Sequence, residues 1–157
     1  MFSPAYCSLI GGDPNLVLPA DTTVLVPALS VNPAGPVGLI AVPPAIGVPD
    51  DTVAGDYQLD YMVNIAVQFG GPGVANITAI LSLNGDPNAG GQEIKPSICW
   101  HDLTPDAGGD DQHFNLQAST LWPLAARDTL ELYLVSRGSG SIINLNIAAF
   151  EAVKVGP

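Results

Sequence analysis

Residues 55–69 read GDYQLDYMVNIAVQF, and their alternation decides the fold class. Tyr57, Leu59, Tyr61, Val63, Ile65, Val67 and Phe69 fall on one side of an extended chain, because successive side chains of a strand point to opposite faces. The other side begins polar, with Asp56, Gln58 and Asp60, and continues as Met62, Asn64, Ala66 and Gln68. A face turned to water normally keeps its charges. This one loses them halfway, so the stretch predicts a strand with a core on one side and a neutral partner on the other.

The same alternation runs along the rest of the chain. VANITAILSLNG (74–85) sets Ile77, Ala79, Leu81 and Leu83 against Thr78, Ile80, Ser82 and Asn84. QEIKPSICW (92–100) reads as a further strand, with Pro96 marking an edge or a bulge. QHFNLQASTLW (112–122), DTLELYLVS (128–136) and SIINLNIAAFEAVKV (141–155) follow. In the last of these, Ile143, Leu145 and Ile147 alternate with Asn144, Asn146 and Ala148, a second strand whose other face lacks charge. Upstream, residues 15–31 give one or two strands around a bend at Pro19 to Asp21. VGLIAVPPAI (37–46) suits an edge or an irregular arm, because its prolines cannot donate to a ladder. Gly and Pro punctuate the chain without a period, as strand-and-turn proteins require. The nearest helical stripe, STLWPLAARDTLEL, is broken by Pro123. About eight strands predict an all-β, two-sheet antiparallel sandwich or jelly roll.

The 157 residues suit a single domain. Only 12% of them are charged while 47% are hydrophobic, against about 25% charged in an ordinary soluble domain. So little charge favours hiding surface in an oligomer or a larger assembly. The 15 acidic and 4 basic residues give a net charge of −11. That balance excludes nucleic acid and anionic membranes as partners, since both are bound through Lys and Arg. The first residues lack the basic and apolar regions of a signal peptide, so synthesis in a host cytoplasm is expected. With only Cys7 and Cys99, reduced thiols are expected rather than a disulfide.

Taken in order, GDYQLDYMVNIAV, ILSLNG, HFNLQASTLWPL, ARDTLELYLVS and INLNIAAFEAVKV resemble the tumour necrosis factor-like jelly roll, over roughly residues 50–155. They are most similar to the compact trimeric heads of phage and bacterial surface proteins. The segment from Leu124 to Leu132 matches the family's frequent L-x-x-G-D-x-[VIL]-x-[LV] pattern, except that Arg127 stands where the family usually has Gly. The resemblance implies a symmetric homotrimer in which one sheet of each subunit packs around the three-fold axis. Met62, Asn64, Ala66, Asn144 and Asn146 are then expected at or near the subunit interface. Residues 50–157 would form the jelly-roll core, and residues 1–49 a proline-rich arm with outer strands that anchors the chain to a particle.

Catalysis is not expected. There is no G-x-S-x-G elbow, and RGSGS (137–141) reads as a turn. Cys99 and His101 share one side of a strand, but a zinc site needs more ligands. The acidic loop HDLTPDAGGDD (101–111) is the one place for Ca²⁺, yet its Asp102, Asp106, Asp110 and Asp111 lack the EF-hand spacing, so no cofactor is expected. Two functions remain. The first is a non-enzymatic structural protein of a bacteriophage virion, such as a trimeric capsid decoration, head fibre or tail-associated protein, acting by burial between subunits and on other virion proteins. The alternative is a carbohydrate- or receptor-binding head, with Trp100, His101 and Asp102 as the ligand-binding residues.

Overall fold

The structure, a computed structural model, describes residues 4–16, 21–27, 29–33, 35–69, 75–103, 112–137 and 140–157. Residues 70–74, the acidic stretch with Asp106, Asp110 and Asp111, and residues 138–139 lie outside the described residues. Two antiparallel sheets face each other. The first holds β10 (Gln112–Leu124), β6 (Gly55–Phe69), β12 (Gly140–Lys154), β1 (Tyr6–Asp13) and β3 (Leu29–Val31), side by side in that order. The second runs β4 (Ile40–Val42), β5 (Ala45–Gly47), β11 (Thr129–Arg137), β7 (Ala75–Leu83) and β8 (Gln92–Glu93). Its edges are shared: β2 (Thr23–Leu25) also pairs with β11, and β9 (Cys99–Leu103) also pairs with β7. Among the described residues twelve strands replace the eight expected, because several of the pieces are only two or three residues long.

The quoted stretch is β6 from end to end. Its Tyr57, Leu59, Tyr61, Val63 and Ile65 are buried against Ile77, Ala79, Leu81 and Leu83 of β7 and Leu130, Leu132 and Leu134 of β11. Such a core gains roughly 25 cal/mol for each Å² of apolar surface it removes from water. Tyr61 also ties the sheets together. Its hydroxyl lies 2.6 Å from the Ser97 carbonyl and 3.0 Å from the Ala79 carbonyl, and donates between them.

Four local readings are refined or corrected. The opening residues form β1, a strand inside the first sheet between β12 and β3. Residues 37–46 give an edge hairpin, β4–β5, turning at a cis Pro43–Pro44 bond. Residues 92–100 are not one strand, because Pro96 sits in a 3-10 turn over Lys95–Ser97. There the Ser97 hydroxyl donates to the Ile94 carbonyl and accepts from the Leu81 amide, and the chain re-enters the sheet as β9. The alternation read in β12 also fails. Bulges between Ile142 and Asn144 and between Leu145 and Ile147 shift the register. After the second, Ala148 turns into the core and Ile147 outward, since each extra residue inverts the side-chain phase. Gly12 lies against this bulge, where a Cβ would stand 2.7 Å from the Asn146 carbonyl oxygen.

Candidate functional site

Register organises the outer face of the first sheet into rows. Ile147, Asn64 and Asn115 lie across β12, β6 and β10; Ile10, Ala149, Met62 and Gln117 form the next row; Ser8, Glu151, Asp60 and Ser119 the row beyond. The amides are joined. Asn146 Nδ2 donates to Asn64 Oδ1 at 2.6 Å, and Asn64 Nδ2 donates to Asn115 Oδ1 at 2.7 Å. Three strands are thus linked by side chains as well as backbone, which fixes the orientation of each amide. Among the described residues this face holds no lysine or arginine; its charges are Asp56, Asp60 and Glu151.

The residues expected at an interface share this face. Met62 is 37% exposed, although it is a large apolar side chain. Asn64 is half-buried and Asn146 exposed. Ala66 is already covered within the chain. Asn144, opposite Ala66, has its Oδ1 enclosed with no hydrogen-bond partner among the described residues. Sequence reading missed Asn115, because its place beside Asn64 depends on how β10 pairs with β6.

The outer face of the second sheet carries a cleft of about 400 Å³. The alternation of β7 turns Asn76, Thr78 and Ile80 outward, opposite to its core residues. Pairing with β9 sets Asp102 beside Asn76 and Trp100 beside Thr78, and pairing with β11 sets Arg137 and Val135 on the other side. One row therefore reads Asp102–Asn76–Arg137 and the next Trp100–Thr78–Val135. Ile98, Ile80 and Glu93 extend the lining. The Thr78 hydroxyl donates to Asn76 Oδ1 at 2.8 Å, and Asn76 Nδ2 donates to Asp102 Oδ1 at 3.1 Å. These bonds fix the amide and leave one Asp102 oxygen and one Asn76 N–H for a ligand. Trp100 is 58% exposed, whereas Trp122 packs against the core.

Of the three residues expected to bind ligand, the cleft brings Trp100 and Asp102 together and leaves out His101. His101 points to the other side of β9 and lies tilted against Phe114, with ring centroids 4.2 Å apart and the planes 40° from parallel. Cys99 shares that side but packs partly on the core. Cys7 is fully buried, and burial pushes its thiol above the ordinary range. No group of three or more His, Cys, Asp or Glu side chains is placed to hold a metal ion among the described residues. Asn76, Thr78, Ile98 and Arg137 were missed; outward alternation marks the first two, but their union with Trp100 needs strand register.

No protein-family pattern matches the chain, and no curated protein matches it. Solved structures do. The chain is similar to Eiger TNF from S. frugiperda, at 13% identity and a TM-score of 0.66, over 98% of this chain and 94% of that one. It is also similar to murine APRIL at pH 5.0, at 15% identity and a TM-score of 0.60, over 98% of this chain and all of that one. The fold is a tumour necrosis factor-like jelly roll of two antiparallel sheets.

Proposed function

We propose that the chain is a non-enzymatic structural head that assembles as a homotrimer through the outer face of its first sheet. The observation that carries the reading is that face: linked amides, an exposed Met62 and no lysine or arginine among the described residues. The work is burial between subunits, not chemistry. A second, edge-on surface supports attachment to a particle, in keeping with a bacteriophage virion component. Along the N-terminal arm and β4, Val37, Ile40 and Val42 are exposed, an apolar stripe that costs free energy in water until something covers it.

The face is tested by charge. Met62→Asp should convert the assembly to monomer in size-exclusion chromatography, while Val42→Asp at the β4 edge should leave it intact. A Met62→Asp protein that keeps the wild-type mass would overturn the proposed interface. The virion assignment is tested separately, by proteomics of particles purified from the source: the chain should be found in the particles and not only in the lysate.

The cleft on the second sheet favours a second reading, a ligand-binding head. An outward Trp100 beside a pre-ordered Asp102–Asn76 pair is the observation behind it. The two readings use different faces, so one molecule can do both.

A further inference from the structure

We propose that this cleft binds a neutral saccharide, stacking a pyranose ring on Trp100 and pairing ring hydroxyls with Asp102, Asn76 and Arg137. The inference rests on the binding-head reading and names its ligand.

The other tryptophan, Trp122, packs against the core. Trp100 instead stands more than half exposed on a β-sheet face, held by the pairing of Cys99 and Trp100 with Ala79 and Thr78. A flat indole in that position offers a surface to the C–H side of a ring, the apolar half of an otherwise polar ligand. The polar half needs planar partners at a set distance. Rows on one sheet face lie two residues apart along the strand, about 6.7 Å, a span comparable to a pyranose with its hydroxyls. The Asp102–Asn76–Arg137 row lies at that separation from Trp100. It supplies an acceptor, a donor and a guanidinium fork, and Thr78 has already locked the amide.

Charge selects among ligands. The lining holds two carboxylates, Asp102 and Glu93, and one cation, Arg137, on a chain of net charge −11. Anionic glycans and nucleic acid are repelled. A quaternary ammonium ligand would meet one aromatic ring and a facing Arg137 rather than a cage. An apolar peptide would cover Trp100 and Ile98 but strand the polar row unpaired. A saccharide satisfies both rows at once. The cleft's volume lies within the ordinary range for small-ligand sites, roughly 300–1,000 Å³.

The test titrates the full chain with methyl glucoside, galactoside, mannoside and N-acetylglucosaminide. Tryptophan fluorescence and saturation-transfer NMR report binding. At least one glycoside should give a saturable signal. Trp100→Ala should weaken it by about tenfold, equivalent to about 1.4 kcal/mol, and Asp102→Asn should weaken it further in a double variant. Trp122→Phe should leave binding unchanged. Urea midpoints of each variant show whether the fold is kept, and Trp100 lies on the surface, where truncation is tolerated. Failure of all four glycosides, or binding equal in wild type and Trp100→Ala, overturns the proposal. Capture of an anionic glycan or a protein that is lost in Trp100→Ala also overturns the neutral-saccharide assignment, while leaving the binding-head reading in place.

Discussion

Arg127 is a residue whose replacement should stabilise the protein. It sits at φ +70° in the turn from Leu124 into β11, where the resembling family usually has Gly. The turn is held hard from both sides. The Arg127 amide donates to the Val48 carbonyl at 2.8 Å, and the Ala125 amide donates to the Asp128 carboxylate at 2.8 Å. Asn84 clamps the same carboxylate at 3.0 Å. The backbone therefore cannot relax, and the Cβ of Arg127 is forced into the left-handed region at a cost of about 1–2 kcal/mol. Glycine removes that cost but loses about 0.5–1 kcal/mol more chain entropy on folding. The balance favours Arg127→Gly by roughly 0.5–1 kcal/mol, or about 1–4 °C in melting temperature for a chain of this size. Thermal and urea unfolding at one fixed protomer concentration measure it. Arg127→Ala is the control, since it removes the charge and keeps the Cβ. If the Gly variant is no more stable than the Ala variant, strain at this turn is not what separates this chain from its pattern.

Two further predictions concern the core. Tyr61→Phe deletes the hydroxyl that spans the sheets and leaves the Ser97 and Ala79 carbonyls without it. It should cost about 1–2 kcal/mol and lower the urea midpoint by about 0.5–1 M at unchanged slope; a wild-type midpoint would refute the bridging role. Stability should also fall in alkali. Burial pushes the Tyr57 phenol up to about 12, and pushes Tyr61 and Tyr133 upward as well. An ordinary tyrosine titrates near 10. Between about pH 10 and 12 the folded chain keeps the Tyr57 proton that the unfolded chain gives up, so its contribution is complete below about 10 and is lost as pH rises through that window. Urea midpoints measured from pH 8 upward should stay flat on this account until about 10 and then drop.

How far the fold could be read from sequence depended on whether one face of a strand differed from the other. β6 and β7 declare themselves, because a buried row alternates with a polar or mixed one. β1 does not: its Cys7 and Leu9 point inward, but Ile10 points out and is partly exposed, so the period blurs. Bulges are silent as well. Nothing in INLNIAAF announces that Asn146 is an extra residue; the signal is Gly12 on another strand, distant in sequence. The candidate cleft was half legible. Sequence reading grouped Trp100, His101 and Asp102, whereas alternation along β9 sends His101 to the other side, and Asn76 and Arg137 join the remaining two only through long-range pairing. Pro96 marked an irregularity correctly, but whether it made a bulge or a 3-10 turn depended on Ser97 finding Leu81.

The proposed assembly rests on the amide-linked face of the first sheet, and one measurement addresses it directly. Native mass spectrometry of the full chain at micromolar concentration and moderate ionic strength should give a dominant species at three times the 16.1 kDa chain. A spectrum showing only the 16.1 kDa species would contradict the account, leaving Met62, Asn64 and Asn146 as a solvated face with no partner to explain it.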